Sequence, residues 1–123
     1  MDSKRLALTA AHSADEIKVD DIVILDIGKL CDFADYFVLA SCRTRIQMRA
    51  AAQKIAEAGK TLDRRLLGIE GEHSDSWILL DYGDVVIHLF HPETRRYYDL
   101  ERLWGDARRV EWRERLAGAK GKA

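Results

Sequence analysis

Apolar residues recur at helical spacing near the start of the chain, where Leu6, Ala7, Ala10, Ala11, Ala14 and Ile17 fall on one stripe. Asp2, Ser3 and Lys4 precede that stripe as cap and first turn, so the first predicted element is an amphipathic helix. Asp20 and Asp21 interrupt it. The run Ile22-Val23-Ile24-Leu25-Asp26-Ile27 is short, β-branched and bounded by charges and Gly28, which predicts a buried strand. After a loop from Gly28 to Asp35, Tyr36 to Ala40 forms a second such run, and the two strands are expected to be neighbours in one sheet. Between Ser41 and Leu62 a second apolar stripe holds Met48, Ala51, Ala52, Ile55, Ala58 and Leu62. Arg43, Arg45, Arg49, Lys54, Glu57 and Lys60 fall mostly off it, which predicts a second helix with a basic face.

Leu66 to Gly71 reads as a third strand weakened by its glycines, followed by a polar turn at Glu72 to Asp75. Two apolar runs then follow, Ser76 to Asp81 and Asp84 to Phe90, separated by Tyr82-Gly83. This is a tight hairpin in which Gly83 can take a positive φ, and with Tyr82 and Gly83 as loop residues Asp81 faces Asp84. The period of two puts Ile78, Leu80, Val85, Ile87 and Leu89 on one aliphatic face, expected to be core. Trp77, Leu79, Asp81, Asp84, Val86, His88 and Phe90 share the other. Pro92 ends the second strand because it cannot donate to a ladder. Tyr97, Tyr98, Leu100, Leu103 and Trp104 suggest an aromatic segment returning to the core, and Arg108 to Leu116 a short charged helix. We expect a single domain over residues 1–117 and a disordered tail from Gly118 to Ala123.

With 123 residues, 47% of them hydrophobic, the chain can bury one core and is too short for two. A formal net charge of −1 excludes the strongly basic field that non-specific nucleic-acid binding needs, so no DNA partner is expected. Cys31 and Cys42 stand without a CxxC or Cys/His cluster, which argues against a zinc site or a disulfide framework and for a reducing compartment. No apolar signal core follows the early charges, and no window approaches a membrane span. The expectation is a soluble, cytoplasmic protein with no membrane partner.

The mixed face of the hairpin, with an indole, an imidazole and carboxylates among aliphatics, suits an interface better than an interior. Charge agrees: from Glu70 to Glu93 there are six carboxylates (Glu70, Glu72, Asp75, Asp81, Asp84, Glu93) and no Lys or Arg. Such a surface repels phosphate and attracts a basic protein patch. The alternative, Trp77 as a core residue under a helix with the acids in a solvated turn, stays open on this ground alone. Catalytic readings are weaker. Asp81 with Asp84, or Asp26, Asp32 and Asp35, could be imagined as oxygen ligands, but hairpin-turn carboxylates are common. His88 and His91 are three apart on a strand and point to opposite faces. There is no Gly-rich phosphate loop, Walker lysine motif or serine nucleophile elbow. Cys42, between a strand and a helix, reads as a plain buried thiol before it reads as an activated one. We therefore expect no catalytic residue, no metal and no cofactor. The basic face of the second helix could touch RNA phosphates, although a solvated face explains it as well.

Several strings together resemble the Iojap-like ribosomal silencing factors (RsfS): Ala34-Asp35-Tyr36-Phe37-Val38, Glu70-Gly71, the hairpin from Trp77 to Phe90, and Arg96 to Trp104. The resemblance covers roughly residues 3 to 110; it departs from the family at Ser41-Cys42-Arg43-Thr44 and in the extension after Val110. It implies an α/β fold, a mixed sheet of about five strands flanked by helices, with nucleotidyltransferase-like architecture but without the catalytic motif. It further implies a non-enzymatic factor that binds the large ribosomal subunit through its universal protein fourteen, and the short N-terminus without an Arg/Ser-rich presequence favours a bacterial cytoplasm over an organelle of bacterial descent. Such a factor hinders joining of the small subunit when nutrients are scarce, and is often a homodimer when free. Carried onto this chain, the docking residues are Trp77 as anchor, then Leu79, Asp81, Asp84, Val86 and His88. The rival from another class is a nucleotide-handling enzyme related by fold.

Overall fold

The structure is a computed structural model and describes residues 2–113. Helix α1 (Ser3–Glu16) leads into β1 (Asp20–Asp26), β2 (Tyr36–Ser41) and α2 (Arg45–Thr61). Strands β3 (Gly68–Glu70), β4 (Trp77–Asp81) and β5 (Val85–Phe90) follow, then the short helices α3 (Pro92–Tyr98) and α4 (Leu100–Leu103) and strand β6 (Arg108–Arg109). The strands form one six-stranded sheet in the order β3-β4-β5-β2-β1-β6. β2 and β5 run parallel at its centre, and the remaining pairs are antiparallel. This is the mixed α/β sheet expected, with one strand more than anticipated.

Both long helices are capped as their sequences allow. The Asp2 carboxylate accepts the Arg5 N–H at 3.1 Å, and the Thr44 hydroxyl accepts the Gln47 N–H at 3.0 Å. The Gln47 side-chain oxygen in turn accepts the Arg43 N–H, which fixes the entry of α2 from β2. α1 and α2 lie side by side on one face of the sheet. Their alanine-rich stripes close over Val38, Ala40, Ile78, Leu80, Val85, Ile87 and Leu89 to form the main core. The expected aliphatic face of the hairpin is thus the buried one. Gly59 lies against the ring of buried Tyr82, so close that a β-carbon there would overlap the phenol oxygen. That contact lets α2 press directly on the hairpin turn.

The C-terminal part corrects two expectations. Residues 108–112 do not begin a charged helix: Arg108 and Arg109 pair with Asp26 and Leu25 as an edge strand. Val110 and Trp112 then enter the main core. The Trp112 indole N–H donates to the Ile22 carbonyl at 3.1 Å, and the Trp112 ring meets the His12 ring edge-on. Burial of one large side chain outweighs the polar neighbours that made the segment look like a surface helix. The expected tail, 118–123, and the rest of the expected helix, 114–116, lie outside the described residues.

The aromatic segment folds back only in part. Leu100 and Trp104 pack against the sheet, whereas Tyr97, Tyr98 and Leu103 stay exposed. α3 itself is fastened by Arg95. Its guanidinium donates to both Glu101 carboxylate oxygens (3.1 and 3.0 Å), to the Asp21 carbonyl and to the Ser41 hydroxyl.

Candidate functional site

The hairpin register differs from the expected one by two residues. Asp81 pairs with Val86 and Trp77 with Phe90, so the two turn residues are Gly83, at φ +89°, and Asp84. Glycine in the first central position is the arrangement a tight turn between twisted strands favours. A shift of two preserves which side chains share a face, so the sorting of the strand residues stands. The expected juxtaposition of Asp81 and Asp84 does not. Asp84 turns toward the helical layer, where its carboxylate meets the Arg64 guanidinium and the Ser3 hydroxyl, which also lies 2.9 Å from Asp35. Burial works against ionisation of Asp84. The Ser3 and Arg64 hydrogen bonds outweigh it and hold the carboxyl below its ordinary pKa.

On the sheet face away from α1 and α2, strand pairing lines up two rows of side chains. One runs Glu70, Leu79, His88, Leu39, Val23, and the next Asp81, Val86, Phe37, Leu25. A smaller apolar cluster covers the inner part of this face: Leu25, Ile27, Phe37, Leu39, Val86 and Phe90, roofed by Leu100, Trp104 and Ala107. The roof stops short of β4 and β3. Trp77, Leu79 and Asp81 are therefore half-buried, and Glu70 is exposed. The hairpin face that looked like an interface is in fact graded, buried at β5 and open at β4.

Trp77 is neither sealed nor free. Its indole N–H donates to His88 Nδ1 at 3.3 Å, and its ring lies 4.8 Å from those of Phe90 and Tyr98. Accepting that bond leaves the His88 proton on Nε2, which has no hydrogen-bond partner among the described residues. Burial pushes the imidazole pKa down to about 4, so His88 is neutral at physiological pH. Phe37 meets its ring edge-on and Phe90 stacks on it. His88 and Val86 form the floor of the surface rather than its contact layer.

Two shallow depressions flank Leu79. One, of about 340 Å³, is lined by Phe33, Phe37, Asp81, Val86 and His88. The other, of about 270 Å³, is bounded by Glu70, Gly71 and Trp77. Phe33 stands 68% exposed at one margin and Tyr98 51% exposed beside Trp77. Among the described residues neither Glu70 nor Asp81 is ion-paired; Asp81 only accepts the Gly83 N–H. The result is a shallow apolar surface edged by aromatic rings and by carboxylates without an ion pair among the described residues, suited to a partner carrying cations. Sequence reasoning missed Phe33 and Tyr98. Phe33 sits in a loop without periodicity, and Tyr98 joins the surface only because Arg95 orients α3.

Other candidate chemistry is not assembled. Among the described residues no three His, Cys, Asp or Glu side chains converge where they could hold a metal ion. The Cys42 thiol is pushed up to about 12, first by burial and then by Asp20, the reverse of an activated nucleophile. No described helix is long and apolar enough to cross a membrane.

The family model described as "Ribosomal silencing factor during starvation" matches residues 1–123. A Bacillus subtilis protein named ribosomal silencing factor RsfS is 36% identical over 107 residues, 87% of this chain and 91% of its own length. One of the same name from Zymomonas mobilis is 39% identical over 85% of this chain and 78% of its own. Among solved structures, a crystal structure of a Chromobacterium violaceum protein superposes with a TM-score of 0.82 at 32% identity, covering 92% of this chain and 93% of that one.

Proposed function

Because the chain belongs to the family of ribosomal silencing factors, we propose that it binds the large ribosomal subunit through its universal protein fourteen and there obstructs the small subunit. Obstruction requires no chemical step, and translation falls under nutrient limitation because fewer subunits join. The observation that carries this reading is the uncovered β3–β4 part of the sheet face, with half-buried Trp77 and Leu79 beside the unpaired carboxylates of Glu70 and Asp81. A half-buried indole surrounded by well-packed neighbours is the type of side chain that dominates protein interfaces, and the acidic rim suits a basic ribosomal protein.

In this arrangement Trp77, Leu79 and Asp81 touch the partner, while Val86 and His88 shape the floor beneath it. Asp84 is committed to Arg64 and contributes only to the local potential. Off the ribosome two copies associate as a homodimer, for which exposed Tyr97 and Leu103 offer apolar contacts.

Light scattering of purified subunits tests the obstruction directly. Large subunits pre-mixed with the protein should join small subunits to a lesser extent, in proportion to occupancy. Undiminished joining at saturating protein would sink the proposal.

A further inference from the structure

We infer that the β3-facing flank of α2, carrying Arg45, Arg49 and Lys60, is a second contact surface, and that its partner is the phosphate backbone of ribosomal RNA beside the docked protein. This inference rests on the large-subunit reading above and deepens it.

From Ser41 to Arg65 the chain has seven Lys or Arg against two acids, the opposite balance to the segment from Glu70 to Glu93. Structure divides those cations into two groups. Arg43 is 3.1 Å from Asp20, Lys54 is 3.0 Å from Glu16, and Arg64 is held by Asp84. These three tie the helices and hairpin together. Arg45, Arg49 and Lys60 on α2, with Arg65 just beyond its end, are exposed and have no carboxylate partner among the described residues.

The three on α2 also point the same way. At 3.6 residues per turn they fall within about 60° of one another, on a line roughly 22 Å long. Their direction is set by two contacts: Lys54 reaches α1, while Arg49 Nη2 lies 3.4 Å from His73 Nδ1 in the loop joining β3 to β4. The stripe thus flanks the β3 edge of the sheet, and Glu70 of β3 lies around that edge on the opposite face, where the proposed protein partner docks. Arg45 and Arg49 stand at i and i+4, where like charges repel, and neither is ion-paired with a carboxylate among the described residues. An unrelieved row of cations continuous with an acidic docking face fits the junction of a basic protein and the RNA that surrounds it. A second protein with the same basic surface would be repelled by it.

The test compares the full chain with the triple variant Arg45→Gln, Arg49→Gln, Lys60→Gln, and with a charge-retaining control, Arg45→Lys, Arg49→Lys, Lys60→Arg. Affinity for isolated large subunits is measured across a salt series. Three lost phosphate contacts should flatten the salt dependence, so that wild type loses about 20- to 40-fold more affinity than the triple variant between ~50 and ~200 mM salt. The control should restore the steep dependence. Affinity of the triple variant for isolated ribosomal protein fourteen should equal that of wild type. Equal salt slopes for wild type and triple variant overturn the inference, as does a loss of affinity for the isolated protein. Failure of wild type itself to bind large subunits would instead overturn the reading on which the inference rests.

Discussion

Replacing Arg95 with alanine removes the fastening between α3 and the sheet, and the structure sets the scale of the loss. The Arg95 side chain is only 9% exposed and that of Glu101 25%, so the pair is largely withdrawn from water. Truncation leaves the Glu101 carboxylate without its bidentate partner, and the Asp21 carbonyl and Ser41 hydroxyl without a donor. Breaking a buried pair from one side costs about 3–5 kcal/mol, and the lower end applies because Glu101 regains some water and keeps Arg109 at 3.5 Å. About 3 kcal/mol, with a urea dependence of ~1.5 kcal/mol per molar, corresponds to a midpoint roughly 2 M lower in circular dichroism. Hydrogen bonds from Arg95 depress the Glu101 pKa. That contribution is therefore complete above the carboxylate's unfolded pKa and disappears as pH falls through the folded one, so the gap between wild type and variant should narrow in acid. Loosened α3 also withdraws Tyr98 from Trp77, and large-subunit binding should weaken with it. A midpoint within experimental error of wild type at neutral pH would refute the assignment of Arg95 as the clamp.

Two further outcomes follow from buried contacts. Trp112→Ala should lower stability by about 3 kcal/mol in the same urea assay, since it empties a core site and orphans the Ile22 carbonyl; a neutral effect would mean that the segment after β6 does not pack as described. Asp84→Asn should destabilise the protein at neutral pH and flatten the acid limb of its stability curve. Wild-type Asp84 has a depressed pKa and loses its contribution as pH falls, so identical acid limbs for the two proteins would rule out the Arg64–Asp84–Ser3 network as a source of that pH dependence.

Much of the fold was legible because its elements carry strong periodic signals. The stripes of α1 and α2 and the alternation along β4 and β5 each predict the face that the structure buries. Register was harder to read. Tyr82 looked like a turn residue beside Gly83, but burying its ring against Gly59 draws it into the ladder, where its N–H donates to the Val85 carbonyl. The turn moves on to Gly83-Asp84, and the Asp84 carboxylate swings to Arg64. At the candidate site, alternation put Trp77 and Leu79 on one face, but choosing them as contacts took the family resemblance as well, because composition left a core role for Trp77 open. How deep His88 and Val86 lie could not, because it depends on Trp104 and Leu100 folding over the same face from the far end of the chain. Trp112 was missed for a related reason: one large apolar side chain among charges has no period to reveal that it crosses the sheet edge into the core.

The central claim, that the uncovered β3–β4 part of the sheet face is what grips the ribosome, is tested most directly by the affinity of Trp77→Ala for isolated large subunits, with its fold verified by circular dichroism. Loss of a central aromatic anchor of about 2 kcal/mol predicts a Kd raised roughly 30-fold. A correctly folded variant that binds as tightly as wild type would show that the gripping surface lies elsewhere on the molecule.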